Sequence, residues 1–369
     1  FAVGLENGSI MLYKTATCEE YANVMHGESV KILRFSNSSK FLAAASLNRL
    51  SLWDVATKTQ LWNISTTSRT LSLAFREDES QLMAATEAEV LSMWRTSSIH
   101  LDEELSWQST KLDDGQANMP KTPPKGVKMS IEQNILAIVY KSRPLQLWSI
   151  DPWKPLGLCV RPHEQMQRSS GQAIHAVTLN PDPSLSLVAV AYWDGTMILY
   201  STKTRKELRS IDALVHRLCS SPNGRILAGS DNDGGINLYD FESLQLIHRV
   251  RPREDPAIDL VFTSDNLHII DVRVSQLNLW EPAVLASRDI DSNSSEPAGS
   301  LCPLDDNATL VRAEDLAIIT ALRCCNETRL AFCGRSNGNV DVCSLNDPVK
   351  TLQPLYKHQG TSKTITKIE

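Results

Sequence analysis

A single unit recurs along the whole chain, and no other feature limits the fold as tightly. Each copy is an apolar run, a polar turn, a second apolar run, a short turn of Gly, Asn, Asp or Arg, and an alternating run that ends in an aromatic residue. KILRFSNSSKFLAAASLNRLSLWD at 31–54 and RLCSSPNGRILAGSDNDGGINLYD at 217–240 align almost without gaps and set the register. The terminal aromatic then falls at Tyr13, Trp53, Trp94, Trp148, Tyr200, Tyr239 and Trp280, with Cys343 in the eighth position. The intervals are 40, 41, 54, 52, 39, 41 and 63 residues. Three readable strands per copy, repeating every ~40 to 45 residues, indicate a four-stranded propeller blade.

Local pattern agrees with this period. Ile236-Asn237-Leu238-Tyr239 and Gln276-Leu277-Asn278-Leu279-Trp280 alternate as strands do. Leu42-Ala43-Ala44-Ala45 and Leu187-Val188-Ala189-Val190-Ala191 are continuously apolar, as expected of strands covered on both faces. The expectation is one all-β propeller over residues 1–369, cut from a longer protein. It has eight blades if the ends share one: residues 1–13 supply strands b and c, and residues 358–369 a strand a. Seven blades with a stray end is the alternative. Three intervals exceed the period, which predicts insertions near 109–126, 161–173 and 289–318, each between a strand d and the next strand a.

Composition excludes several function classes. With 42% hydrophobic and 22% charged residues the chain can bury a core, and its apolar runs are far shorter than a membrane-spanning helix. A net charge of -6 argues against nucleic acid as a partner; the run Lys203, Arg205, Lys206, Arg209 reads as a solvated turn. Eight scattered cysteines without a CxxC pair fit a reduced, cytoplasmic setting. Neither a metal site nor a cofactor is expected, because no HExxH occurs and the histidines are dispersed. The one formal catalytic pattern is Gly334-Arg335-Ser336-Asn337-Gly338, followed by Asp341, Asp347 and His358 in hydrolase order. Alternating residues after it predict a hairpin rather than the strand-to-helix turn a nucleophile needs, so no catalytic residue is assigned and no enzymatic role is expected.

The pairs Trp53-Asp54 and Tyr239-Asp240, with His26-Gly27 upstream of the first full unit, resemble the WD40 repeat family over essentially the whole chain. That resemblance implies a hydrogen-bonded tetrad of His, Ser or Thr, Asp and Trp within a blade. His26, Ser46 and Trp53 match three members, while Leu47-Asn48-Arg49 offers no Asp. INLYDFESLQLIHRV (236–250), IIDVRVSQLNLWEPAVL (269–285), RPLQLWSID (143–151) and FCGRSNGNVDV (332–342) are also similar to the C-terminal WD40 array of fungal NACHT-type STAND NTPases, the vegetative-incompatibility group. This implies a regulatory or sensing propeller in signal transduction, partnered by other proteins or by its own upstream NTPase module. No GxxxxGK[ST] lies in the sequence itself. A WD40 scaffold in another assembly and a propeller enzyme are the alternatives.

The candidate interaction face is built from Arg143, Trp193, Asp194, Arg273 and Arg335, which fall at or beside b–c turns. Trp193 before Asp194-Gly195 is a candidate contact anchor, with simple packing on a neighbouring blade as the bland reading that a turn aromatic calls for first, and the arginines suggest a shared face. Trp53, Trp94, Trp148, Tyr200, Tyr239 and Trp280 are expected in the core.

Overall fold

The computed structural model describes residues 1–14, 19–107, 123–141, 143–161, 173–250, 256–263, 266–273, 276–282, 285, 307–312, 317–325, 330–344, 353–356 and 364–368. Its strands form eight four-stranded antiparallel sheets. Seven consist of four consecutive strands, spanning 32–65, 70–106, 126–159, 174–212, 217–250, 259–312 and 319–356. The eighth is composite. Its innermost strand, Ile365–Ile368, comes from the C-terminal end and pairs with Ala2–Leu5, beyond which lie Ser9–Tyr13 and Glu20–Met25.

The first strand of every sheet packs against the first strands of both neighbours, and this ring closes where Ile365–Ile368 meets Ile32–Phe35. The arrangement is an all-β propeller of the WD40 type. Closure joins the chain ends: Val3 pairs with Ile368, Glu6 N–H donates to Thr364 O at 3.0 Å, and the Phe1 ring stacks on Phe332 at 3.9 Å. No innermost edge is left open there, which removes the template that an unpaired strand presents. Two glycines make the junction possible. A Cβ on Gly334 would lie 2.3 Å from Ile365, and one on Gly4 would lie 2.6 Å from Val30.

The core is divided among the blade interfaces. Eight hydrophobic clusters each bridge two adjacent blades; one, for example, joins Leu52 and Trp62 of the first full blade to Leu73 and Phe75 of the next. The second strands are buried throughout, as in Phe41–Ala45 and Leu187–Tyr192, which explains their unbroken apolar sequences. The recurring aromatic sits on the third strand. Tyr13, Trp53, Trp148, Tyr200, Tyr239 and Trp280 are buried and Trp94 is half-buried. At Tyr13, Trp53, Trp94, Trp148, Tyr200 and Tyr239 the pairing to the fourth strand shifts register, so a bulge recurs beside the aromatic. The Asp after it caps the outer turn: Asp54 Oδ1 accepts from Thr57 N–H at 2.8 Å, and Asp240 Oδ1 from Ser243 N–H at 2.9 Å.

In each blade the b–c turn and the d–a connection lie on one rim, called upper here, and the a–b and c–d turns on the lower rim. Most of the long insertions lies outside the described residues, but the flanking strands locate them. The extra chain near 109–126 and 161–173 follows the fourth strands Leu101–Ser106 and Lys154–Cys159. The third insertion does not follow expectation. Asn307–Arg312 is itself the fourth strand, paired with Gln276–Glu281, so the extra residues lie between strands c and d and leave from the lower rim.

Candidate protein-docking rim

The five residues expected to share a surface separate into two groups. Trp193 is 53% exposed and lies flat on His175, with ring centroids 4.2 Å apart at 6°. Arg143 is half-buried beside the Tyr140 ring. The other three are structural, which corrects the expectation. Arg273, almost fully buried, donates from Nε to Asp271 at 2.6 Å and from Nη2 to Gly234 O of the preceding blade at 2.7 Å. Arg335 is fully buried, ion-paired with Asp341, and donates to Ala317 O at 2.7 Å. Asp194 is held by Arg161 at 2.7 Å, with both side chains buried and the guanidinium over the Tyr192 ring. Burial alone would raise the Asp194 carboxyl, but the bonds from Arg161 and Thr196 hold it below the usual range. A guanidinium can occupy a blade interior only when its charge and donors are matched, and each of these arginines has a carboxylate.

These pairs stand where the implied tetrad would be. In the blade of Trp280, the indole Nε1 donates to Asp271 Oδ1 at 2.7 Å while Arg273 donates to the other carboxylate oxygen. The first full blade also departs from expectation. His26 Nδ1 lies 2.9 Å from Ser51 Oγ, while Ser46 Oγ donates to Glu28 Oε2 at 2.6 Å. Ser46 is therefore not the partner of His26, although His26 does lie against Trp53, with centroids 5.9 Å apart. Burial, reinforced by Arg49, lowers the His26 pKa to about 4.

The hydrolase-like pentapeptide is a b–c hairpin, as expected from the alternation after it. Ser336 follows strand Leu330–Arg335, its N–H donates to Ile318 O at 2.8 Å, and Gly338 takes a φ of 87° at the turn. Asp341 is committed to Arg335, and Asp347 and His358 lie outside the described residues. Of the two flanking glycines only Gly338 needs positive φ; Gly334 is required by the close approach of Ile365.

The upper rim carries a property that no single sequence window shows. Among the described residues, eleven large apolar side chains are exposed. Six sit in b–c turns or d–a connections, namely Leu47, Val160, Trp193, Leu214, Ile258 and Ile318, and Met25 ends an outermost strand at the same rim. Leu61, Leu208 and Leu246 lie further along outermost strands, and among the eleven only Ile99 belongs to a lower-rim turn. Next to Trp193 the rim turns into the propeller axis. His175 bonds His216 across adjacent innermost strands, and Lys125 Nζ lies 6.0 Å from the Trp193 ring centroid while donating to Ile174 O at 3.2 Å. Burial lowers both imidazole pKa values; the positive charge of Arg217 acts in the same direction on each, and that of Lys125 on His175.

A sequence profile of the anaphase-promoting complex subunit 4 WD40 domain matches residues 146–266. The small ribosomal subunit protein RACK1z of Oryza sativa subsp. japonica is 34% identical over 84 residues, covering 22% of this chain and 24% of its own length. The chain thus spans about a quarter of that relative. Among solved structures, the C-terminal WD40 domain of Sif2 superposes with a TM-score of 0.68 at 15% identity, covering 92% of this chain and 91% of its own. Dihydro-heme d1 dehydrogenase NirN in complex with DHE superposes with a TM-score of 0.71 at 10% identity, covering 98% and 73%. At these identities the structures are similar in fold alone.

Proposed function

We propose that this WD40 β-propeller is a protein-docking module whose partner seats on the upper rim, and that in its full-length protein it is the sensing or regulatory part of a cytosolic NACHT-type NTPase. The observation that carries the docking reading is that seven of the eleven large apolar side chains exposed among the described residues lie at the upper rim. Isolated exposed apolar residues need no explanation, but a set grouped on one face marks an interaction site. Trp193 is its anchor: a rigid indole already stacked on His175 surrenders little freedom when a partner covers it. The long connections after Ser106 and Cys159 leave from the same rim and add surface there. The NACHT setting is supported by the four phrases similar to such arrays, and a reduced compartment by the free thiols of Cys159 and Cys219.

Replacing Trp193 and Arg143 together by Ala tests the docking reading. Association with the upstream module, or with the purified partner, should weaken by roughly 2 kcal/mol, about thirtyfold, while thermal stability stays near wild type. Unchanged affinity would move the interface elsewhere. The second reading, a scaffold subunit of a multiprotein assembly, is favoured by the profile match to the anaphase-promoting complex subunit. A GxxxxGK[ST] phosphate loop upstream of Phe1 separates the two.

A further inference from the structure

The innermost strands enclose an axial cavity of about 490 Å³ that opens beside Trp193, within the range of about 300–1,000 Å³ typical of small-molecule sites. Its lining contradicts the charge of the chain as a whole. Lys31, Arg69, Lys125, Lys128 and Arg217 face Asp259 alone among acidic residues of the wall, in a protein of net charge -6. None of these five cations makes an ion pair among the described residues. The positive charge is not incidental to one loop. Four blades deliver it, three of them in succession through the residue directly before the first strand: Lys31, Arg69 and Lys125.

Burial disfavours the charged form of two of these lysines, and Arg217 adds to the effect at Lys125. Lys128 is solvent-accessible yet walled in by protein, and burial with a smaller contribution from Lys367 lowers its pKa against the opposing pull of Asp259. Lys125 is lowered by burial and by Arg217. Clustered cations repel one another and destabilise the fold unless something offsets them, and focused fields of one sign raise the local concentration of counter-ions. The rim reading does not require this site, and this site does not require the rim.

We infer that the axial cavity binds a small, multiply charged anion of the polyphosphate class. A single phosphate would leave most of the five cations unmatched, whereas several linked phosphates can reach cations on neighbouring blades at once. Lys and Arg donors with the half-buried His175 and His216 at the mouth supply the hydrogen bonds such a ligand accepts.

Isothermal titration of the full-length protein with sodium tripolyphosphate at near-physiological salt tests the inference. One tripolyphosphate should bind per chain, at least about tenfold more tightly than orthophosphate. The Lys125→Gln/Lys128→Gln variant should lose about tenfold in affinity, and Lys203→Gln/Lys206→Gln, which removes the same charge from a lower-rim turn, should change it by less than about twofold. Without ligand the cavity variant should melt at a higher temperature than wild type, and its gain on adding tripolyphosphate should be smaller. If that double variant fails to fold, Arg69→Gln gives the same comparison. Absence of saturable binding, equal losses in cavity and lower-rim variants, or binding of a phosphorylated peptide but not of tripolyphosphate would overturn the proposal. Failure of the rim reading would instead show in the Trp193 variant, with tripolyphosphate binding intact.

Discussion

His26 ties the stability of the first full blade to pH. The ring is fully buried, with Nδ1 at 2.9 Å from Ser51 Oγ and its own backbone carbonyl accepting from Arg49 at 3.1 Å. Burial and then Arg49 disfavour the imidazolium, Glu28 opposes them weakly, and the pKa falls from 6.5 to about 4. In the unfolded chain the residue binds its proton near 6.5, so between that value and about 4 the unfolded state holds more protons than the folded one. Stability from this group is therefore complete above pH ~6.5 and is lost as pH falls toward 4. At about 1.4 kcal/mol per pH unit the ceiling is roughly 3 kcal/mol, of which about 2 kcal/mol is gone by pH 5. His26→Asn removes the titrating group and keeps a polar side chain opposite Ser51. Urea midpoints of both proteins between pH 7.5 and 5 should show wild type losing about 2 kcal/mol more than the variant over that range. Parallel profiles would refute the argument, because the remaining histidines titrate identically in both proteins.

Further outcomes follow from the buried pairs and the closure. Arg273→Ala should destabilise the propeller by about 3–5 kcal/mol in denaturant titrations, since it leaves the fully buried Asp271 carboxylate without its cation. An exposed docking arginine would cost well under 1 kcal/mol of stability on the usual ~0.5 kcal/mol scale of surface changes. Deleting residues 364–369 should lower the melting temperature and promote self-association on gel filtration, because it bares the edge of Ala2–Leu5. A truncated protein as stable and monomeric as wild type would contradict the composite blade.

The repeat was legible because every blade needs one bulky side chain on its third strand and a continuously apolar second strand, and both leave marks at a fixed spacing. The composite blade was legible because the two ends carried complementary parts of a unit. Arg273 and Arg335 were read as surface because an arginine in a turn is usually solvated; the available signal was the carboxylate placed to meet each one, Asp271 two residues before and Asp341 six after. Asn307–Arg312 was absorbed into an insertion because a Ser- and Asp-rich stretch precedes it, although NATLVR alternates as a strand. The apolar rim was invisible for a geometric reason. Its members, from Met25 to Ile318, lie in separate blades and only ring closure brings them to one side. The axial charge was hidden likewise, with about one cation per blade diluted in an acidic chain.

The claim that the upper rim is the docking surface is tested most directly by photo-crosslinking in the full-length protein, with a benzophenone amino acid placed in turn at Trp193 and at Ile99. Both side chains are exposed and apolar, and they stand on opposite rims. A strong crosslink is expected from position 193 to the partner or the upstream module and none from position 99. A crosslink from position 99 with none from position 193 would contradict it.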